Sequence, residues 1–184
     1  MSSLLSVHTS GRGFVDLTAE VAQFAQEAGA IEGQLTLFIR HTSASLTIQE
    51  NADPTVLKDL TAALDRLAPE DFGWSHDTEG PDDMPAHVKT MLSATSLLVP
   101  VMMGKLMLGT WQAIYLIEHR RRPYAREVVM QFIGKTSPRL VVHKNKNRPR
   151  IAPRPAFVRL RDGISWCGCR RPWFRAGRRS RPRR

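Results

Sequence analysis

Histidines beside carboxylates and hydroxyls are the residues of this sequence best suited to chemistry, and they occur in three stretches. His41 begins a run with hydroxyl side chains at positions 42, 43 and 45, and His76 begins an acidic stretch over residues 76–83. His87 follows the last aspartate of that stretch by four residues. Neutral imidazoles and carboxylates that converge from separate segments can bind a divalent metal or transfer protons. The alternative is that the acidic stretch is a solvated loop, with Asp82 or Asp83 capping the next helix.

Two further clusters could contact a substrate. Trp111 and Gln112 stand together in the run Gly-Thr-Trp-Gln. Trp111 could be part of the core, which is the commoner place for an aromatic residue in a strand, and Gln112 could instead orient a substrate. Asn51 precedes a predicted helix start, and backbone amides at a helix start favour anions, so a phosphate could bind over residues 51–55. Asp53 competes with that prediction, because its carboxylate can accept hydrogen bonds from the same amides.

Several common catalytic motifs are missing from residues 1–134. This part of the sequence has no glycine-rich nucleotide loop, no Gly-x-Ser-x-Gly run and no cysteine. The two cysteines, Cys167 and Cys169, lie near the C-terminus without a partner pair at metal-site spacing. The chemistry of the first 134 residues therefore depends on histidines, carboxylates and hydroxyls.

The elements that position these residues can be predicted from periodicity and from turn residues. Helical spacing predicts one helix from Asp16 or Thr18 to Gly29, a second from Asp53-Pro54 to Pro69, and a short third helix over residues 86–92. A long polar loop joins the last two over residues 70–86. Apolar alternation predicts strands over the following ranges: 3–8, 34–39, 45–49, 95–101, 110–117 and 126–133, with a short strand between Gly104 and Gly109.

Strands come in consecutive runs in this prediction and not in regular alternation with helices. That order favours an α+β fold: an antiparallel β-sandwich of about seven strands with three helices. The runs 34–39 and 45–49 are predicted to be consecutive antiparallel strands, which would place His41 in the connection between them.

The charge divides the chain into two parts. Residues 135–184 contain 17 lysines and arginines and one acidic residue, whereas residues 1–134 contain 10 basic and 16 acidic residues. We therefore predict a folded domain over 1–134 and a basic, disordered tail over 135–184. The tail could bind nucleic acid through its arginines and tryptophans. The composition changes abruptly at the start of the tail, which indicates that the tail results from translation in an altered reading frame. A lost stop codon near residue 135 of the coding sequence would confirm this.

The composition also bears on the cellular compartment. The sequence has no apolar run of about 18 residues, as a membrane span requires, and its N-terminus lacks the features of a signal peptide. The absence of cysteines from residues 1–134 excludes a disulfide framework there. We expect a cytoplasmic protein with no membrane partner.

Four stretches of the sequence together resemble the YjbQ family, also described as secondary thiamine-phosphate synthases. They are HTSASLTIQENADPTV (41–56), HDTEGPDDMPAHVK (76–89), TSLLVP (95–100) and LGTWQAIYLIEHR (108–120). The resemblance implies a small α+β fold with a β-sandwich, a homotrimer, and a polar site of histidines and acidic residues. The tail from Lys135 has no counterpart in it.

The resemblance also implies which residues form the site. The catalytic residues carried over by motif position are His41, His76, His87, Glu79 and Asp82, and the three histidines are the candidate ligands of a divalent metal, Mg²⁺ or Zn²⁺. The candidate substrate-binding residues are Thr42, Ser43, Asn51, Trp111 and Gln112.

The implied activity couples a hydroxymethylpyrimidine pyrophosphate to a thiazole phosphate and releases pyrophosphate. In such a reaction the histidines would contact a metal or phosphate, and the carboxylates would lie near the developing cation. Two alternatives remain open: a metal-dependent hydrolase of a small phosphorylated compound, and a non-catalytic module that binds a small ligand. We expect nucleic acid to be a partner only if the basic tail binds it.

Overall fold

A computed structural model describes residues 1–137 of the chain, and over this range it has eight strands and three helices. The elements, in chain order, are β1 (Ser2–His8), β2 (Gly13–Asp16), α1 (Thr18–Glu27), β3 (Ala30–Ile39), β4 (Ala44–Glu50), α2 (Pro54–Leu67), α3 (Asp83–Leu92), β5 (Ser96–Met102), β6 (Lys105–Leu106), β7 (Gln112–Glu118) and β8 (Ala125–Thr136). The predicted α+β class and the antiparallel arrangement are confirmed.

The strands form two antiparallel sheets. The larger sheet has the order β1-β8-β3-β5-β6, and the smaller sheet has the order β2-β7-β4 within the described residues. Alternate residues of the larger sheet, among them Leu35, Leu37 and Val128, are buried against residues of the smaller sheet such as Leu46 and Leu116. Each fully buried side chain of this size contributes roughly 1.5–3 kcal/mol. The two sheets therefore share one hydrophobic core.

Helices α2 and α3 lie against the other face of the smaller sheet. Helix α3 contacts β4, and α2 contacts β2. A small cavity between these layers is lined by Leu64 of α2, Lys89 of α3 and Ile117 of β7, whereas Leu116, which points to the opposite face of β7, joins the core. The smaller sheet thus lies between the shared core and the two helices that carry the acidic loop.

The predicted helix boundaries are confirmed where they depend on local chemistry. Helix α2 begins at Pro54, and the Asp53 carboxylate accepts the Thr55 amide at 2.8 Å. Helix α1 ends at Glu27 and is followed by Gly29 with a φ of +62°, a conformation that favours glycine. Helix α3 begins at Asp83, three residues before the predicted start.

The predicted pairing of the strands on either side of His41 is wrong. Strand β3 pairs with β5 and β8, and β4 pairs with β7, so the two strands belong to different sheets. Residues 40–43 therefore cross from the larger sheet to the smaller one. Alternation of apolar residues is the same in either arrangement, because it reports a buried face and not the identity of the neighbouring strand. The short strand β2 was also not predicted, since the turn residues 10–13 dominate its local pattern.

The last strand extends slightly past the predicted domain boundary at residue 134. Strand β8 continues to Thr136, Lys135 forms an ion pair with Glu32, and the Ser137 amide donates to the Gly29 carbonyl at 2.8 Å. For residues 135–184 we predicted a disordered tail, a nucleic-acid arm and an altered reading frame. From residue 138 onward, these predictions concern residues outside the described range. In residues 1–137, none of the helices is long and apolar enough to cross a membrane.

Candidate functional site

His76, Asp83 and His87 form the most concentrated group of metal-ligating side chains in residues 1–137. Asp83 and His87 lie one turn apart on the same face of α3, and the loop before α3 brings His76 to them. The Asp83 Oδ2 atom is 2.9 Å from His76 Nε2 and 3.4 Å from His87 Nε2. One ligand atom from each side chain lies within 4.8 Å of the others. Two imidazole nitrogens and one carboxylate oxygen thus lie close enough together to contact one ion.

The group is open to solvent on the imidazole side and closed behind the carboxylate. The side chains of His76 and His87 are 49% and 32% exposed, whereas that of Asp83 is 2% exposed. A buried carboxylate requires a partner, and Arg120 forms an ion pair with Asp83 Oδ1. Asp83 therefore has its two oxygens on different partners, with the arginine behind and the imidazoles in front.

Arg120 is itself held by the acidic loop. Its Nε donates to Asp82 Oδ2 at 3.3 Å, and its Nη2 donates to the Glu79 carbonyl at 2.9 Å. Burial acts to raise the pKa of Asp82, but the Arg121 amide and the charge of Arg120 outweigh it and hold that pKa below its ordinary value. The predicted carboxylate partners Glu79 and Asp82 thus contact Arg120, and Asp83 is the carboxylate that faces the imidazoles.

The tautomer of His87 follows from its second nitrogen. Nδ1 lies 2.9 Å from the Thr42 carbonyl oxygen, which can only accept, so Nδ1 carries the hydrogen. In the neutral ring, Nε2 then presents a lone pair toward Asp83 Oδ2, another acceptor. The contact between His87 Nε2 and Asp83 Oδ2 at 3.4 Å is favourable when a cation, either a proton or a metal, lies between the two atoms. A backbone carbonyl that orients the outer nitrogen is also the usual support for a metal-binding histidine.

His41 does not join this group, and the expectation that three imidazoles converge is wrong for it. Its Nε2 accepts the Glu127 amide at 2.9 Å, and its Nδ1 faces Arg126 Nη1 at 3.4 Å. Burial and the charge of Arg126 lower the pKa of His41, outweighing nearby carboxylates. The crossing between the sheets directs the ring toward β8, so its Nε2 is not available as a ligand.

The predicted substrate-binding residues Thr42 and Ser43 line an open groove beside His87. The groove has a volume of about 570 Å³ and is lined by residues 38–43 and Thr95. The Thr42 carbonyl contacts His87, and Ser43 Oγ accepts Arg126 Nη2 at 3.2 Å. The groove therefore adjoins the His–Asp–His group through Thr42.

The other predicted substrate-binding residues lie at the opposite end of the smaller sheet. Trp111 is 65% exposed and lines a second groove of about 380 Å³ with Gln112 and Glu50. Asn51 donates its amide to the Trp111 carbonyl at 3.0 Å. Because β4 rises by about 3.3 Å per residue, its ends lie about 20 Å apart. Trp111, Gln112 and Asn51 are thus separated from the imidazoles within one copy of the chain.

The predicted phosphate site at the start of α2 is contradicted by the cap of the helix. Asp53 Oδ1 accepts both the amide and the hydroxyl of Thr55, at 2.8 and 2.7 Å. A carboxylate therefore already occupies the position that an anion would take, and it would repel a phosphate there.

Arginines and a buried glutamate near the end of β7 complete the surroundings of the site. Glu118 is fully buried and accepts Arg126 Nη2 at 2.6 Å, Thr9 Oγ1 at 2.9 Å and the Arg120 amide at 2.9 Å. Residue types and spacing do not point to Arg120 or Arg126 as site residues, and they place Asp83 only in a helix cap. The signals available were the four-residue spacing of Asp83 and His87 and the charged residues directly after an apolar strand.

The neighbouring His119 is structural. Its Nε2 lies 2.8 Å from Ser45 Oγ, and both side chains are fully buried between the smaller sheet and the helices. Burial, reinforced by the charges of Lys89 and Arg12, lowers the pKa of His119 to about 3, so the ring is neutral at pH 7.

Comparisons with known proteins agree on one family. The family model described as UPF0047 protein YjbQ-like matches residues 3–135. The UPF0047 protein sll1880 of Synechocystis is 46% identical over 132 residues, which cover 71% of this chain and 90% of that protein. The UPF0047 protein YjbQ of Escherichia coli O157:H7 is 41% identical over 131 residues, covering 71% of this chain and 95% of that protein.

Solved structures give the same result. A crystal structure of a YjbQ/UPF0047 family protein from Clostridium acetobutylicum superposes with a TM-score of 0.67 at 37% identity, covering 71% of this chain and 99% of that one. The matched region contains both sheets, the His–Asp–His group and Arg120. This chain therefore belongs to the YjbQ/UPF0047 family.

Proposed function

We propose that the chain is a divalent-metal enzyme that acts on a small phosphorylated substrate, with His76, Asp83 and His87 as the metal ligands. One observation carries the proposal: two imidazole nitrogens and a carboxylate oxygen face one another within 4.8 Å. The hydrogen bond from His87 Nδ1 to Thr42 supports it, because it leaves Nε2 as the ligand atom.

The donor set favours zinc over magnesium. Zn²⁺ binds imidazole nitrogen and carboxylate oxygen, and three protein ligands leave a position for substrate. Mg²⁺ prefers an octahedron of oxygen ligands, which this group does not offer. When bound, such a metal would withdraw charge from phosphate oxygens and so stabilise a leaving phosphate.

Neighbouring residues would hold the metal ligands and the substrate in position. Arg120 pairs with Asp83 Oδ1 and so directs Oδ2 toward the imidazoles. The Thr42 carbonyl fixes the His87 ring. The groove beside Thr42 would hold the substrate with its phosphate toward His87.

The reaction that we propose to test first is the coupling implied by the family resemblance. The C–O bond between the pyrimidine methylene and its diphosphate breaks, a C–N bond to the thiazole nitrogen forms, and pyrophosphate leaves with the electron pair of the C–O bond. These phosphorylated substrates suit the site, because a bound cation would contact the phosphates and the adjoining groove would hold the rings.

The test is an assay of the full chain with both substrates, with Zn²⁺ or Mg²⁺ added after removal of bound metal. We expect thiamine phosphate from the wild type, loss of at least about a hundredfold in His76→Ala and Asp83→Ala, and little change in His8→Ala. His8 is an exposed histidine of β1 and is the matched control. Product at the same rate in Asp83→Ala would refute the assignment of the site.

Metal-dependent hydrolysis is the second candidate, and the half-exposed His76 ring favours it, because water can reach the ligand position. Incubation with the pyrimidine diphosphate alone separates the two reactions. Release of the free alcohol identifies a hydrolase, whereas dependence on the thiazole phosphate identifies a transferase. Saturable binding without any turnover would indicate a ligand-binding module.

We also propose that copies of the chain associate through the outer face of the larger sheet, as a homotrimer. The strand register places Leu4, Phe38, Leu98 and Ile133 on this face, and each side chain is about half exposed or more. An apolar surface of this kind on a folded domain commonly marks an interface.

A further inference from the structure

Two hydrogen-bond donors face each other beside the groove, at His41 and Arg126. The Glu127 amide donates to His41 Nε2 at 2.9 Å, so that nitrogen carries no hydrogen. A neutral imidazole has one N–H, which must then be on Nδ1. Nδ1 lies 3.4 Å from Arg126 Nη1, and a guanidinium nitrogen only donates. The pair therefore lacks an acceptor.

Arg126 cannot relieve this contact by moving. Its side chain is buried, and its Nε and Nη2 donate to the two Glu118 oxygens at 2.7 and 2.6 Å. Its guanidinium also lies over the Tyr124 ring, 4.4 Å from the centroid. Because arginine keeps its proton in proteins, Nη1 remains a donor fixed toward His41.

His41 is equally constrained. Burial and Arg126 lower the pKa of its ring, which favours the neutral form at pH 7, and the Glu127 amide keeps the hydrogen of that form on Nδ1. The ring lines the groove, together with Thr42 and Ser43. Ser43 Oγ accepts Arg126 Nη2, so its own hydroxyl hydrogen can point elsewhere.

We propose that this donor pair, His41 Nδ1–H and Arg126 Nη1–H, binds an oxygen of a phosphate or diphosphate group. A phosphate oxygen supplies the missing acceptor and a negative charge beside a buried guanidinium. Thr42, the residue after His41, accepts the hydrogen bond of His87, so the anion site adjoins the candidate metal ligand. The identification of this phosphate as that of the substrate rests on the proposed function; the anion site itself does not.

The experiment titrates the full 184-residue chain with inorganic phosphate, and separately with pyrophosphate, in the presence of a chelator and at physiological salt. The chelator removes any contribution of bound metal, and the basic residues 138–184 are the same in every variant. We expect saturable binding to the wild type, weakened about tenfold to a hundredfold in His41→Gln, the cost of one hydrogen bond to a charged group. The glutamine oxygen can still accept the Glu127 amide, but the donor at Nδ1 is lost.

Two controls accompany His41→Gln. His41→Asn places an amide N–H near the position of Nδ1 and should retain most of the affinity, whereas His8→Gln should bind as the wild type does. Equal phosphate affinity in His41→Gln and wild type would overturn the proposal, as would the absence of saturable binding to the wild type.

A measurement on the unmutated chain guards against variants that fail to fold. The ring ¹⁵N shifts of His41 should show the hydrogen on Nδ1 and should change on addition of phosphate. A hydrogen on Nε2 would overturn the proposal. If phosphate binds as expected but the chain turns over neither substrate, the anion site is supported and the proposed function fails. If the chain turns over its substrates but His41→Gln binds phosphate as well as the wild type does, the proposed function is supported and the anion site fails.

Discussion

Asp83 and Arg120 form a buried ion pair at the first turn of α3, and the pair joins the candidate metal ligands to the end of β7. The arginine also contacts Asp82 and the Glu79 carbonyl, so a single guanidinium fixes the loop that carries His76. The carboxylate faces the imidazoles because its other oxygen is held from behind. Stability and the geometry of the site therefore depend on the same contact.

Replacement of Arg120 by methionine should destabilise the fold by about 3–5 kcal/mol, because it leaves Asp83 and Asp82 buried without a counter-charge. Urea denaturation measures the change. Arg121→Gln is the control, since Arg121 is mostly exposed and its ion pair with Glu70 lies at the surface, where loss costs at most about 1 kcal/mol. Equal effects of the two substitutions would show that the Arg120 pair adds nothing beyond a surface contact.

Zinc should stabilise the wild-type chain and should not stabilise Asp83→Ala. At a free concentration 100 times the dissociation constant, binding to the folded state adds about 2.7 kcal/mol to the free energy of unfolding. Thermal denaturation with and without the metal reports this gain, and His8→Ala should show the full effect. A metal-induced gain that survives in Asp83→Ala would place the metal elsewhere.

Acid should destabilise the fold partly through His119. The folded ring has a pKa of about 3, whereas the ring in the unfolded chain titrates near 6.5. Between these values the unfolded chain binds one proton more than the folded chain. The contribution of His119 to the free energy of unfolding is therefore fully present above about pH 6.5 and is lost as the pH decreases toward 3.

His119→Gln should remove that part of the pH dependence. Near pH 5, the slope of unfolding free energy against pH should decrease by about 1.4 kcal/mol per pH unit relative to the wild type. Urea denaturation at a series of pH values measures the slope, and His8→Gln should leave it close to that of the wild type. An unchanged slope in His119→Gln would mean that the buried ring takes up a proton in the folded state.

Leu98→Lys should separate the copies of the chain if the outer face of the larger sheet forms the trimer interface. Light scattering should give three times the 20.7 kDa chain mass for the wild type and a smaller assembly for the variant. Leu67→Lys, at an apolar position on α2 that is slightly more exposed than Leu98, should leave the assembly intact. A wild-type monomer would exclude the proposed interface.

A chain ending at Ser137 should fold with nearly the same stability as the full chain, within about 1 kcal/mol. The shared core, both sheets and the Ser137 amide contact to Gly29 are all formed within residues 1–137. Chemical denaturation of the two chains compares them. Loss of cooperative unfolding in the shorter chain would show that later residues are part of the folding unit.

Local chemistry determined much of the fold in advance. Asp53 and Pro54 fix the start of α2 by their own hydrogen bond and backbone angle, and apolar alternation located β3, β4 and β7. The pairing of β3 with β4 was predicted wrongly, because alternation does not encode which strand lies alongside. That choice depends on the packing of both sheets around the core.

Residue types and order alone place His76 and His87 in an acidic segment beside a helix start, and they separate an acidic body from a basic C-terminal part. The folded arrangement is needed to see that Asp83, and not Asp82, faces the imidazoles, and that His41 pairs with Glu127 and Arg126. Sequence patterns do not reveal these contacts because the partners lie far apart along the chain. Each of the contacts of Asp83 with Arg120 and of His41 with Glu127 joins separate elements, and periodicity describes one element at a time.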